Sequence, residues 1–312
     1  MKKIYHIEPV YKSFIWAGRK LIEHFNIDTN LQSIGTIYHV IAIPGDLDNQ
    51  VLETNQPLSL FYKSHRHLFN LKTDHFPIRM TTTANEGFQS YQLHPNNEYA
   101  LAHENQQGKV SGSVALFESD SDNVRRWLFG NKAQNKEQFK QLVLNKDWDE
   151  LFTTLDVKDG DFIHTPAGVI HGGYGVGQIS ATFGTNSDIT YRFYDLDRND
   201  PNRPLHFKQV FDCANVPEVA FGAIKIDPIE KKNIKIYDYY DQAQEYIAKR
   251  LKVNGISSYY YERFMFISCV NGCGTINNES IKLGETIFVP TEFGPLELDG
   301  NMDLIIISYR EE

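Results

Sequence analysis

A nine-residue pattern occurs twice in this chain, and it limits the fold more than any other feature. Lys158 to Pro166 reads K-x-G-D-x-I-x-x-P, and Lys282 to Pro290 reads K-x-G-E-x-I-x-x-P. A turn glycine, an acidic residue, an alternating apolar stretch and a proline describe a tight turn feeding a short strand that ends sharply. Two copies predict two related β-barrels or sandwiches, one after the other. The first copy continues through Ala167, Gly168, Val169 and Ile170 to His171, whereas the second continues Thr291-Glu292-Phe293-Gly294 with no histidine. Any chemistry is therefore expected in the first unit.

Composition supports a mainly β protein. Aromatic residues make up 13% of the 312 positions, and aromatic side chains suit a pleated, half-buried surface. The net charge of -9 argues against a nucleic-acid partner or an anionic membrane surface, so an anionic ligand would need a local Arg or Lys cluster. Cys213, Cys269 and Cys273 form no disulfide framework, which points to a reducing, cytoplasmic setting. No stretch approaches the roughly 18 consecutive apolar residues of a membrane span, and Met1 to Val10 lacks the apolar run of a signal peptide.

Along the chain, the segment Phe14 to Leu21 reads as a buried anchor leading into a short helix. Residues 36–118 read as strands with a helix around Leu58–Leu68. In 121–155, Val124, Trp127, Leu128, Phe139, Leu142, Val143, Trp148, Leu151 and Phe152 recur at helical spacing, predicting two or three short inserted helices. Strands resume at 161–195. A polar loop and a helix beginning at His206 follow, and strands return from about 222. The expected division is a first domain over 1–220, with the helical insertion, and a second over 221–312. No low-complexity linker separates them, so the two are expected to pack together.

The segment Gln92-Leu93-His94-Pro95 is the second informative one. Residues i and i+2 of a strand face the same side, so Gln92 and His94 would point together into a barrel interior. His171 follows the first motif copy. Two imidazoles and an amide oxygen make a partial site for zinc or another divalent first-row metal. Spacing alone leaves a structural histidine as the commoner reading in a chain with 11 histidines.

Three segments together resemble a known family: Gln92-Leu93-His94-Pro95, Pro166 to His171, and Asn186 to Asp195, which reads N-S-D-I-T-Y-R-F-Y-D. They are similar to the Q-x-H-P, P-x-G-x-x-H-A and N-S-D-x-T-Y-R-x-Y-D motifs of the short bacterial type I mannose-6-phosphate isomerases. Ile15-Trp16-Ala17-Gly18 is similar to the family's I-W-G-G, and Leu205-His206-Phe207 to its L-H-F. The resemblance runs collinearly over about residues 8–218 and fits more weakly to the end. It implies two cupin-type jelly-roll β-barrels, the first bearing one zinc per chain and the second without a site. It also implies a sugar-phosphate substrate, with mannose 6-phosphate and fructose 6-phosphate interconverted through a metal-stabilised enediol. The implied metal residues are Gln92, His94 and His171, and the implied active-site arginine is Arg192. His164, on the motif itself, is a candidate proton shuttle, and Lys109 a candidate phosphate contact.

The chain departs from the family at four positions. Ser111 stands where the family's G-K-x-E segment has a metal-binding Glu, and Glu118, seven residues on, needs a register change to substitute. Thr81 stands in place of a Lys, Thr36 in place of an acidic residue after Gly35, and Thr182 in place of a Glu. Arg79 shares a strand face with Thr81, but arginine stays charged and shuttles protons poorly. All four changes run from charged to neutral, so the rival expectation is a non-catalytic cupin paralogue that binds a sugar or sugar phosphate.

Overall fold

The structure is a computed structural model that describes residues 3–117, 125–172, 177–218 and 222–312. It is mainly β. The first half is a sandwich of two antiparallel sheets. One has six strands, in the order Phe162–Thr165, Ser111–Phe117, Ile179–Thr185, Ile78–Ala84, Thr36–Val40 and Val10–Lys12. The other has five, in the order Phe152–Val157, Arg125–Asn131, His171–Gly172, Tyr91–Leu93 and Tyr191–Tyr194. The second half centres on an eleven-stranded sheet, which also takes in Tyr5–Glu8 from the start of the chain, paired with Thr286–Val289. Among the described residues none of the three sheets closes on itself. The expected boundary at 220–221 is only half visible, because residues 219–221 lie outside the described residues.

The repeated motif is a structural repeat. Gly160 and Gly284 have φ of 81° and 87°, a left-handed turn conformation that costs a Cβ-bearing residue energy. Asp161 accepts a hydrogen bond from the Lys158 amide at 2.8 Å, and Glu285 from the Lys282 amide at 3.0 Å. Each turn feeds a four-residue strand, Phe162–Thr165 or Thr286–Val289. The acidic position is thus used to satisfy a turn amide.

Period-two alternation sorts the six-stranded sheet into two faces. Along Ile78–Ala84, Ile78 and Met80 enter the largest core cluster, while Arg79, Thr81 and Thr83 line a cavity on the opposite face. That core cluster joins both halves, with Ile37, Phe183 and Phe162 meeting Tyr246, Phe264, Phe266 and Phe288.

The helical expectation for 121–155 is corrected in part. Lys136–Asn145 and Trp148–Leu151 are helices, but Trp127 and Leu128 lie in the Arg125–Asn131 strand and Phe152 begins the Phe152–Val157 strand. Val124, like Glu118, lies outside the described residues. Trp127 and Phe129 alternate with Leu128, and both enter a small core cluster, so the local pattern fits a strand as well as a helix. No helix is long and apolar enough to cross a membrane among the described residues.

Candidate active site

A cavity of about 600 Å³ opens between the two sheets of the first half. Strand register brings three expected residues together: His171 is opposite Gln92, and Gln92 is opposite Arg192. His94 follows one residue after the Tyr91–Leu93 strand, and its ring lies 4.8 Å from that of His171. All four line the cavity, as do Lys109 and Ser111.

The two imidazoles are oriented alike. His94 Nδ1 donates to the Ile189 carbonyl at 2.9 Å, and His171 Nδ1 to the Val169 carbonyl at 3.0 Å. A carbonyl only accepts, so each Nδ1 carries the proton and each Nε2 the lone pair, as in most metal-binding histidines. Burial holds both rings neutral. It lowers His171 to about 4, and it lowers His94 well below the usual imidazole value, with help from the nearby Lys109 charge. Gln92 Nε2 lies 3.5 Å from His171 Nε2, and Gln92 Oε1 accepts from the Ser90 hydroxyl at 3.1 Å. The carboxamide must turn over to present its oxygen beside the imidazoles.

These three donors fit a divalent first-row cation, with preset tautomers and outer hydrogen bonds already made. No carboxylate joins them: no group of three or more His, Cys, Asp or Glu residues is arranged to hold a metal among the described residues. Three neutral donors leave the full ionic charge uncompensated beside Lys109 and Arg79, so affinity is lower than for a set that includes a carboxylate.

The four substituted positions, scattered through the sequence, meet on one face. Thr81 is opposite Thr182 and Tyr38, and Thr182 is opposite Ser113, with their hydroxyls 3.1 Å apart. Thr36 is opposite Thr83, with hydroxyls 3.3 Å apart. Ser111 lies on the strand beside Ile179–Thr185. The cavity floor is a ladder of hydroxyls, each able to donate and accept without a net charge.

The walls are charged. Arg192 lines the cavity with its Nε buried and without a partner, and burial followed by the Arg203 charge lowers its pKa. Its backbone is clasped by His206, whose ring accepts from the Arg192 amide at 3.2 Å and whose amide donates to the Arg192 carbonyl at 2.7 Å. The L-H-F segment therefore positions the arginine strand. Lys109 is buried, and burial followed by the Arg79 charge lowers it to about 7. Trp16 and Phe14 stack at 4.7 Å between ring centres on the cavity wall.

His164 is not brought to this site. Thr165 faces the cavity, so its neighbour must face the other way, and His164 stacks on Tyr240 and pairs with the Tyr246 hydroxyl at 3.0 Å. Its expected proton-shuttle role is withdrawn on that geometry. Arg79, expected only as a poor shuttle, and Asp188, a residue with no expected role, also line the cavity. Asp188 stands inside the N-S-D motif, and Arg79 shares the strand face with Thr81, so both signals were present.

The sequence model described as "Mannose-6-phosphate isomerase, cupin domain" matches residues 243–309. The mannose-6-phosphate isomerase of Streptococcus mutans is 28% identical, over 96% of this chain and 95% of its own length. The crystal structure of the mannose 6-phosphate isomerase from Bacillus subtilis superposes with a TM-score of 0.89 at 25% identity, covering 98% of this chain and 99% of that one. A zinc-bound mannose 6-phosphate isomerase shares the fold at a TM-score of 0.76 and 13% identity, over 98% of this chain and 99% of that one. The collinear motifs, the convergent site and these likenesses agree, and over nearly its whole length the chain is similar to mannose-6-phosphate isomerases of the short bacterial type I kind.

Proposed function

We propose that this chain interconverts mannose 6-phosphate and fructose 6-phosphate, and the observation that carries the reading is the convergence of Gln92, His94, His171, Lys109 and Arg192 on one cavity. The two halves are read as cupin-type units, only the first of which retains histidines. One zinc per chain, held by Gln92, His94 and His171, would polarise the carbonyl and hydroxyl oxygens of the open-chain sugar.

The rest of the chemistry falls to side chains. The reaction carries a proton between adjacent carbons through an enediol, so it needs a base with a pKa near ambient pH. Lys109, at about 7, meets that requirement, and we assign proton transfer to it in place of His164. Its neutral amine takes the proton from one carbon and returns it to the next. In its charged form it also draws the anionic substrate inward. Arg192, with an unused buried Nε, stabilises negative charge on the enediolate oxygen. The hydroxyl ladder meets the hydroxyls of the sugar. A reducing, cytoplasmic compartment suits both this substrate and the three free thiols.

A coupled assay for fructose 6-phosphate, run with zinc, with a chelator and after zinc is restored, tests the reading. Turnover abolished by the chelator and recovered with zinc is expected. A folded chain that holds zinc and turns over nothing overturns it and leaves a sugar-phosphate-binding cupin paralogue.

A further inference from the structure

Arg79 has no part in the reaction described above. It is 5% exposed on the cavity face of the Ile78–Ala84 strand. Its Nη1 donates to Asp188 Oδ1 at 3.0 Å, and its buried Nε has no partner. Asp188 is shared among several groups. The Tyr38 hydroxyl donates to Oδ2 at 3.1 Å, Lys12 Nζ lies 3.7 Å from Oδ2, and Lys109 Nζ lies 3.8 Å from Oδ1. Both ammonium groups stand beyond hydrogen-bond distance, so neither spends a donor on the carboxylate. The other lining carboxylate, Asp46, is exposed. Three cations therefore share one half-buried carboxylate, and the surplus charge is costly unless an anion arrives.

We propose that Arg79 and Lys12 anchor the substrate's phosphate, and that Asp188 is the internal counter-ion that holds the two cations in place. Lys12, with its side chain 37% exposed, marks the outer end of the subsite, and Arg79 the inner end. Lys109 stands on the same Asp188 oxygen as Arg79, across the carboxylate from Lys12, and acts on both histidines. The sugar chain then runs inward from the phosphate, past Lys109, to the imidazole pair. A phosphate monoester carries nearly two negative charges and several acceptor oxygens, which suits the fork of a guanidinium with unused donors. The sugar identity rests on the isomerase reading, whereas affinity for phosphate is a property of the cluster itself.

Calorimetric titration with inorganic phosphate, mannose 6-phosphate and unphosphorylated mannose tests the proposal. Arg79→Gln should weaken both phosphate ligands by about tenfold or more and leave mannose binding unchanged, with Arg79→Lys recovering part of the loss. Unchanged affinity for mannose 6-phosphate in folded Arg79→Gln protein overturns the anchor. Should that variant not fold, Lys12→Ala decides: a loss of about threefold is expected, and none overturns it. An active enzyme whose KM ignores Arg79→Gln refutes the anchor and spares the isomerase. A chain without turnover that still binds inorganic phosphate through Arg79 does the reverse.

Discussion

Ser111 lines the cavity where a carboxylate would lower the charge of a bound cation and add a fourth donor. Ser111→Glu should therefore tighten zinc by about tenfold or more, measured by competition with a chromogenic chelator. No change would mean that the residue does not reach the ion. Lys109 gives a second prediction. The mechanism uses its neutral form, so kcat should rise as pH passes upward through about 7, and Lys109→Arg should remove turnover while keeping the charge. A kcat that is flat across that range would exclude it as the base. At this scale Gln92, His94, His171 and Arg192 were legible because their motifs are specific. The hydroxyl ladder was not, because adjacency across strands depends on register, which local sequence does not encode.

Among the elements, the segment that carries Lys109 is held by a close backbone approach. A Cβ at Gly108 would overlap the backbone of Asn96 and Asn97, at the start of the Asn97–Glu104 helix that follows His94. The Lys109 amide donates to the Pro95 carbonyl at 2.9 Å, which ties the lysine to the same turn. Gly108→Ala should cost about 2 kcal/mol in urea unfolding and weaken zinc binding, because the turn holding His94 must shift. Unchanged values for both would show that the two segments move independently. The turn-and-strand motif was legible at this scale, down to its acidic residue. The Arg125–Asn131 strand was not, because its apolar residues fit helical spacing too, and pairing with Phe152–Val157 and His171–Gly172 decides between the two. His164 faces away for a simpler reason: it alternates with Thr165, whose side chain takes the cavity side of the strand.

At the scale of the molecule, the two halves share more than a surface. His39 is buried between them, pairing with the Thr82 hydroxyl at 2.8 Å and the Thr286 hydroxyl at 3.2 Å. Burial lowers its pKa from 6.5 to about 3. The unfolded chain takes a proton near 6.5 and the folded chain near 3, so this contribution to stability is present above 6.5 and is lost as pH falls toward 3. Urea unfolding at several pH values should show a flatter acid limb for His39→Gln than for the parent. An identical limb would place the acid sensitivity elsewhere. The shared core carries a related expectation. A fragment ending at residue 218 exposes Ile37, Met80 and Phe183, and it should expose dye-binding apolar surface and lack a cooperative melt.

The hydroxyl floor has a practical consequence for engineering. Thr36, Thr81, Ser111 and Thr182 lie on four strands of one sheet, facing one cavity, with no backbone irregularity among the pairs that join Thr81 to Thr182. A combinatorial library restricted to those four codons would vary the charge of this floor position by position, on a scaffold whose hydrophobic face is left untouched.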